Sequence, residues 1–142
     1  MREILNSIKK KQSIIGIIGM GYVGLPLSIF FAKKDFKIIG LDIDKKKIES
    51  LKIKKSYIER IKDKDIKILS KKAQFSDNFE NIKKCDVIII AVPTPLTKKQ
   101  LPDLSFVKNC LIKIFPYLKN NQTIILESTS YPGTTRAVSY TH

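Results

Sequence analysis

Ile14-Ile15-Gly16-Ile17-Ile18-Gly19-Met20-Gly21-Tyr22-Val23-Gly24 decides how the rest of the chain is understood. An apolar run of strand character ends in Gly19-x-Gly21-x-x-Gly24, and an apolar, helix-like segment follows without a break. Three glycines at this spacing, with a strand before and a helix after, mark a dinucleotide-binding turn. In such a turn Gly19 makes the tight bend, Gly21 lets a pyrophosphate approach the backbone, and Gly24 lets helix and strand pack closely. The helix N-terminus then offers unpaired N–H groups and a positive dipole end to the phosphates. Met20, Tyr22 and Val23 are expected to contribute to the same cradle.

Downstream, Tyr22 to Lys34 carries Val23, Leu27, Phe30 and Phe31 as a helical apolar stripe, with Pro26 tolerated in the first turn. Phe36 to Leu41 forms a second strand that ends at Asp42. Strand, helix and strand within about thirty residues make one parallel crossover unit. Asp42 follows Gly24 by 18 residues, close to where this arrangement places the acid that binds an adenosine ribose. A carboxylate there accepts hydrogen bonds from both ribose hydroxyls and repels a 2′-phosphate, which favours NAD over NADP. Lys45, Lys46 and Lys47 act the other way, because a nearby cation accommodates that phosphate; Lys47 is also a candidate cofactor contact. The competing role for Asp42 and Asp44 is to cap the next helix, and Asp44 suits that role.

Helices are expected over 44–54, with Ile48 and Leu51 inward, and over 62–71, with Ile66 and Leu69 inward. A short strand is expected over 73–76 and a turn or short helix over 78–84. Asp86 to Val92 is the clearest strand, and its continuous apolar character means burial on both faces of a parallel sheet. Pro93-Thr94-Pro95 ends it, since prolines forbid continued pairing. In such sheets ligands lie beyond the carboxyl ends of the strands, which puts Val92 and Thr94 where a cofactor would pass. An ordinary rigid loop exit accounts for Thr94 equally well. A polar connection over 97–102 leads to a helix capped by Asp103, with Phe106, Val107, Cys110, Leu111, Ile114, Phe115 and Leu118 at helical spacing and Pro116 in its last turn. Thr123 to Glu127 is the fifth strand, followed by the hydroxyl-rich Ser128-Thr129-Ser130-Tyr131-Pro132-Gly133-Thr134-Thr135. The fold class is therefore α/β, a doubly wound parallel sheet in a single domain.

The 142 residues suffice for one domain, and 43% hydrophobic content is ordinary for a globular protein. No apolar run spans a bilayer, and the first twelve residues lack the continuous apolar core of a signal peptide, so a cytoplasmic location and no membrane partner are expected. The net charge of +14 would suit a nucleic-acid binder. Of the 27 basic residues, however, only Arg2, Arg60 and Arg136 are arginines, the better side chain for bidentate phosphate recognition. The scattered lysines point to a solvated surface instead. Cys85 and Cys110 show no metal-ligand spacing and are expected to be reduced core residues.

Gly19-Met20-Gly21-Tyr22-Val23-Gly24-Leu25-Pro26-Leu27 and Gly40-Leu41-Asp42-Ile43-Asp44 resemble the nucleotide-sugar dehydrogenase family, which includes UDP-glucose and GDP-mannose dehydrogenases. Val92-Pro93-Thr94-Pro95-Leu96, Pro102-Asp103-Leu104-Ser105 and the stretch from Leu126 to Thr135 look most like the branch that oxidises UDP-N-acetylhexosamines, UDP-N-acetylglucosamine above all. The likeness runs from about Ile14 to Arg136, leaving residues 1–13 as an extension and 137–142 as a divergent tail. It implies a Rossmann-type NAD-binding domain, truncated at its C-terminus, of an enzyme that carries a sugar C6 alcohol through a thiohemiacetal and thioester to a carboxylate. That oxidation reduces two NAD molecules and serves surface polysaccharide synthesis. The resemblance assigns Gly19, Gly21, Gly24 and Asp42 to the pyrophosphate and ribose, and Val92, Thr94 and Ser128 to the NAD site. Thr129 falls near the nicotinamide, where it helps position a catalytic water. The family's nucleophilic cysteine sits in a Gly-His-Cys-Ile-Pro type motif, which this chain does not contain, so inactivity of the chain alone is expected. Full-length members are dimers that bind a UDP-sugar. A non-catalytic NAD-sensing module of the same fold is the alternative.

Overall fold

A computed structural model of the chain describes residues 2–98 and 100–128. Five strands, β1 (Ile14–Ile18), β2 (Lys37–Leu41), β3 (Ala73–Ser76), β4 (Val87–Ile90) and β5 (Thr123–Leu126), form one sheet in the order β3-β2-β1-β4-β5. All four pairings are parallel. The helices are α1 (Arg2–Lys9), α2 (Gly24–Lys33), α3 (Lys45–Lys52), α4 (Asp63–Leu69) and α5 (Ser105–Ile114). Strands β2 and β3 extend the sheet to one side of β1, and β4 and β5 extend it to the other. The order reverses between β1 and β4, so the crevice where ligands bind in such sheets opens beyond the carboxyl ends of these two strands.

Alternation along the strands feeds two apolar layers. Ile15 and Ile17 of β1 with Val87 and Ile89 of β4 face the layer built with Leu25 and Ile29 of α2, Ile48 and Leu51 of α3, and Ile66 and Leu69 of α4. Ile18, Ile88 and Ile90 face the opposite layer, with Ile82, Cys110 and Ile114. Burial on both faces explains why β1 and β4 show no polar alternation in sequence. At the amino end of the sheet, the Ile14 N–H donates to Asp86 Oδ2 at 2.7 Å. The Gln122 amide donates to the carbonyls of Ile82 at 2.8 Å and Cys85 at 2.6 Å, which seats β5 against the rest.

Several expectations shift. Residues 2–9, read only as lacking a signal-peptide core, form α1, and Ser13 Oγ donates to Ser7 Oγ behind it at 2.8 Å. The buried face of α2 is Leu25, Ser28, Ile29 and Ala32, whereas Val23 and Phe30 are exposed and Leu27 and Phe31 only border the core. The helix is apolar nearly all round, so spacing did not distinguish its faces. Phe106 and Phe115, expected inside, are exposed, while Val107, Cys110 and Ile114 form the inner face of α5. The connection over 97–102 is a small hairpin closed by a Leu96–Pro102 bridge, a Thr97 N–H bond to the Leu101 carbonyl and a Leu101 N–H bond to Thr97 Oγ1. Strand β5 is thinly covered, with Ile124 42% and Ile125 37% exposed although they register with the buried Ile88 and Ile89.

Both cysteines are free and buried. Burial pushes each thiol up to about 12; beside Cys85 the Asp86 charge adds to the effect, and Lys113 opposes it at Cys110. Neither thiolate forms near neutral pH, which removes both from consideration as nucleophiles.

Two outcomes follow from this packing. A Cβ at Gly24 would lie 1.8 Å from the Gly19 carbonyl oxygen, so Gly24→Ala should destabilise the fold by roughly 2–3 kcal/mol, read as a lower urea midpoint. Cys85 and Cys110 should resist a thiol reagent in the native state and react fully in denaturant. Because their folded values lie above the unfolded value of 9.0, stability is complete below about pH 9 and is lost as pH rises above it. A Cys85→Ala, Cys110→Ala double variant should flatten that alkaline decline in urea titrations.

Candidate nucleotide site

The turn after β1 is held by backbone geometry first. Gly19 has φ 97°, a left-handed conformation that a side chain would strain, and a Cβ there would lie 2.6 Å from the Ala91 carbonyl oxygen. The turn therefore rests directly on the exit of β4. The Gly19 N–H donates to the Leu41 carbonyl at 2.8 Å, which ties the same residue to the end of β2. Three strand ends thus converge on the turn.

Beyond Gly19 the backbone is open. A Cβ built on Gly21 would meet nothing within 4 Å. Among the described residues no hydrogen bond engages the N–H groups of Gly21, Tyr22 or Val23. Helix α2 begins at Gly24 with no side-chain cap and no acidic residue in its first turn. Unpaired donors, an uncapped helix dipole and free space above Gly21 are the features that a pyrophosphate requires. Tyr22 is 83% exposed and Val23 51%, so their side chains border this space without filling it.

Asp42, at the carboxyl end of β2, is only 6% exposed. Its Oδ2 accepts the Met20 N–H at 2.8 Å and lies 3.3 Å from Lys47 Nζ; its Oδ1 accepts the Asp44 N–H at 2.9 Å. The carboxylate is therefore part of the turn's framework, and Oδ1, with a single donor, keeps lone-pair capacity for a hydroxyl. Asp44 caps α3 through the Lys46 N–H at 2.9 Å, as its sequence position implied. Lys45, Lys46 and Lys47 occupy the first turn of α3, where cations oppose the helix dipole. Ion pairs of Lys47 with Asp42 and of Lys45 with Asp77, the latter at 3.8 Å, offset part of that opposition.

Met20, expected in the cradle, contributes differently. Its side chain is fully buried, with the sulfur between Gly40 and Ser28, and it acts as a wedge beneath the turn. Both its backbone groups are taken, the N–H by Asp42 and the carbonyl by the Tyr57 hydroxyl. Tyr57 was missed in the sequence, where Ser56-Tyr57-Ile58 appears only as an interruption between helices. No periodicity marks a residue that reaches back 37 positions.

On the other side of the switch point, Val92 is half-buried at the exit of β4, and its carbonyl accepts the Ser128 Oγ–H at 2.7 Å, joining the ends of β4 and β5. Thr94 is half-buried in the loop beyond. The structure thus brings Gly19 to Gly24, Asp42, Lys47, Val92, Thr94 and Ser128 to one rim of the sheet. Thr129 lies outside the described residues. No group of three or more His, Cys, Asp or Glu among the described residues is placed to hold a metal, and no helix there is long and apolar enough to cross a membrane.

Residues 13–141 match the NAD-binding domain of the UDP-glucose/GDP-mannose dehydrogenase family. The chain is 38% identical over 136 residues to the UDP-N-acetyl-D-mannosamine dehydrogenase of Methanocaldococcus jannaschii, covering 92% of this chain and 30% of that protein. It is 35% identical over 125 residues to the UDP-N-acetyl-D-glucosamine 6-dehydrogenase of Pseudomonas aeruginosa, covering 88% of this chain and 29% of that protein. The solved UDP-N-acetyl-mannosamine dehydrogenase Cap5O of Staphylococcus aureus superposes with a TM-score of 0.79 at 38% identity, over 87% of this chain and 30% of that one. The chain therefore spans about three tenths of the length of the relatives it matches. With the open Gly21 turn, the acid at the end of β2 and a family match across nearly its whole length, the chain belongs to the UDP-glucose/GDP-mannose dehydrogenase family, whose NAD-binding domain it contains.

Proposed function

We propose that this chain supplies the cofactor-binding part of a cytoplasmic, NAD-dependent dehydrogenase that oxidises the C6 alcohol of a UDP-N-acetylhexosamine, UDP-N-acetylglucosamine in the first instance, to the uronate used in surface polysaccharides. The observation that carries the reading is the turn itself: three unpaired N–H groups and open space at Gly21, with Asp42 alongside. Bound there, NAD would accept the hydride released as the alcohol is oxidised. The N–H groups of Gly21, Tyr22 and Val23 and the N-terminus of α2 would hold its pyrophosphate. Asp42 and Lys47 would hold the adenosine ribose, the carboxylate accepting from the hydroxyls and the ammonium donating to them. Val92, Thr94 and Ser128 would border the nicotinamide side, and Thr129 would position a water there.

The N-acetylated sugar is supported by relatives named for UDP-N-acetyl-D-mannosamine and UDP-N-acetyl-D-glucosamine. The thioester stage needs an activated thiolate, and the buried Cys85 and Cys110 do not provide one. We therefore assign that step, the sugar contacts and the dimer contacts of the working enzyme to residues other than those of this chain. The lysines carry no nucleic-acid role in this reading; several are spent in surface pairs such as Lys33–Asp65 and Lys55–Asp63.

Calorimetry of the purified chain decides the proposal. NAD should bind with a measurable dissociation constant and NADP more weakly, and mixing the chain with NAD and UDP-N-acetylglucosamine should produce no NADH. Asp42→Asn should weaken NAD by about tenfold, the worth of a charge-assisted hydrogen bond, and narrow the preference over NADP. Gly21→Ala should leave the urea midpoint nearly unchanged and still reduce NAD affinity, because its added methyl meets only the space the pyrophosphate needs. Absence of NAD binding by the unaltered, folded chain would sink the proposal.

A further inference from the structure

The Gly19–Met20 and Met20–Gly21 peptides are each gripped from outside the turn. Asp42 Oδ2 takes the Met20 N–H at 2.8 Å, and on the far side of that peptide the Gly19 carbonyl packs against the Cα of Gly24. The next carbonyl, that of Met20, accepts the Tyr57 hydroxyl. Across a trans peptide the C=O and N–H bonds point in opposite directions. A donor that holds the Met20 carbonyl therefore also sets the direction of the Gly21 N–H, which has no partner of its own among the described residues.

Tyr57 is built to make this bond. Its ring packs against the apolar layer beneath α2, and burial raises the phenol's pKa, with the Asp42 and Asp44 charges adding to the effect, so the hydroxyl stays a proton donor at any working pH. The loop that carries it is anchored to the start of α4. Asp63 accepts the Ser56 N–H at 2.8 Å and Lys55 Nζ at 2.9 Å, and Ser56 Oγ accepts the Ile58 N–H at 3.2 Å. Ile58, next to Tyr57, is buried.

We propose that Tyr57 is a positioning residue for the dinucleotide: by holding the Met20 carbonyl it fixes the Met20–Gly21 peptide so that the Gly21 N–H is presented to the pyrophosphate. The inference rests on the NAD-binding reading and adds a specific consequence to it. Its effect falls on ligands that carry a pyrophosphate and spares those held only through the ribose.

Titration of NAD, ADP and adenosine against the unaltered chain and Tyr57→Phe tests it. NAD and ADP should bind Tyr57→Phe about three- to tenfold more weakly, the worth of one hydrogen bond, with adenosine unchanged. In protein labelled with 15N-glycine, whose six glycines give a readily resolved spectrum, the Gly21 amide should shift on NAD addition in the unaltered chain and shift much less in Tyr57→Phe. Equal affinity of the two proteins for NAD and ADP overturns the inference and leaves the NAD reading standing, as does a parallel loss for all three ligands, which would mark a merely structural tyrosine. Failure of the unaltered chain to bind NAD overturns both. If Tyr57→Phe does not fold, the decision passes to the half-buried Asp63→Asn, which loosens the loop without touching the turn: a smaller loss confined to NAD and ADP supports the inference, and unchanged affinity overturns it.

Discussion

The absence of a side chain at Gly24 is the constraint on which the rest of the structure depends. With its Cα against the Gly19 carbonyl, α2 starts immediately above the end of β1, and the chain has to double back within five residues. That close approach puts Leu25 and Ile29 down onto the sheet and leaves the N–H groups of Gly21, Tyr22 and Val23 unpaired just ahead of the helix. The same geometry presses Gly19 onto the exit of β4, so the turn sits astride the point where the strand order reverses. Fold and site share one set of contacts here.

Around that turn, the polar residues work in pairs of roles. Asp42 is a prospective ribose acceptor, yet it also satisfies the Met20 N–H and starts the turn into α3 through the Asp44 N–H. Two backbone donors and a lysine hold this buried carboxylate in place without any ligand. It is therefore preorganised, and a cofactor would meet an acid already oriented and desolvated. Tyr57 does the equivalent for the neighbouring carbonyl. The turn consequently needs little rearrangement to receive an anion.

What could be read from the residues alone follows the range of the interactions involved. The glycine spacing, the apolar strands and the Asp44 cap are local, and they survive folding unchanged because periodicity and capping are set by near neighbours. The acid at the end of β2 was legible because the crossover unit has a nearly fixed length. The buried face of α2 was not, since Val23, Leu27, Phe30 and Phe31 lie among residues that are nearly all apolar and only the sheet and α4 decide which are covered. Tyr57 and Gln122 act across 37 and 40 residues through backbone carbonyls, and no sequence pattern records such bonds. Nor does the sequence reveal that Met20 is a buried wedge; its place between two glycines suggested a ligand contact instead.

Strand β5 carries a further consequence. It pairs with β4 on one side only among the described residues, and Ile124 and Ile125 point to opposite faces with substantial exposure. A short apolar edge of this kind is a template on which another copy can add a strand, the first step of self-association. The lysine-rich surface, with its net charge of +14, then has a colloidal role: it keeps copies apart at distances where the edges would otherwise meet. That protection is electrostatic and reaches only about 8 Å at physiological ionic strength. An edge of this kind ties self-association of the domain by itself to salt.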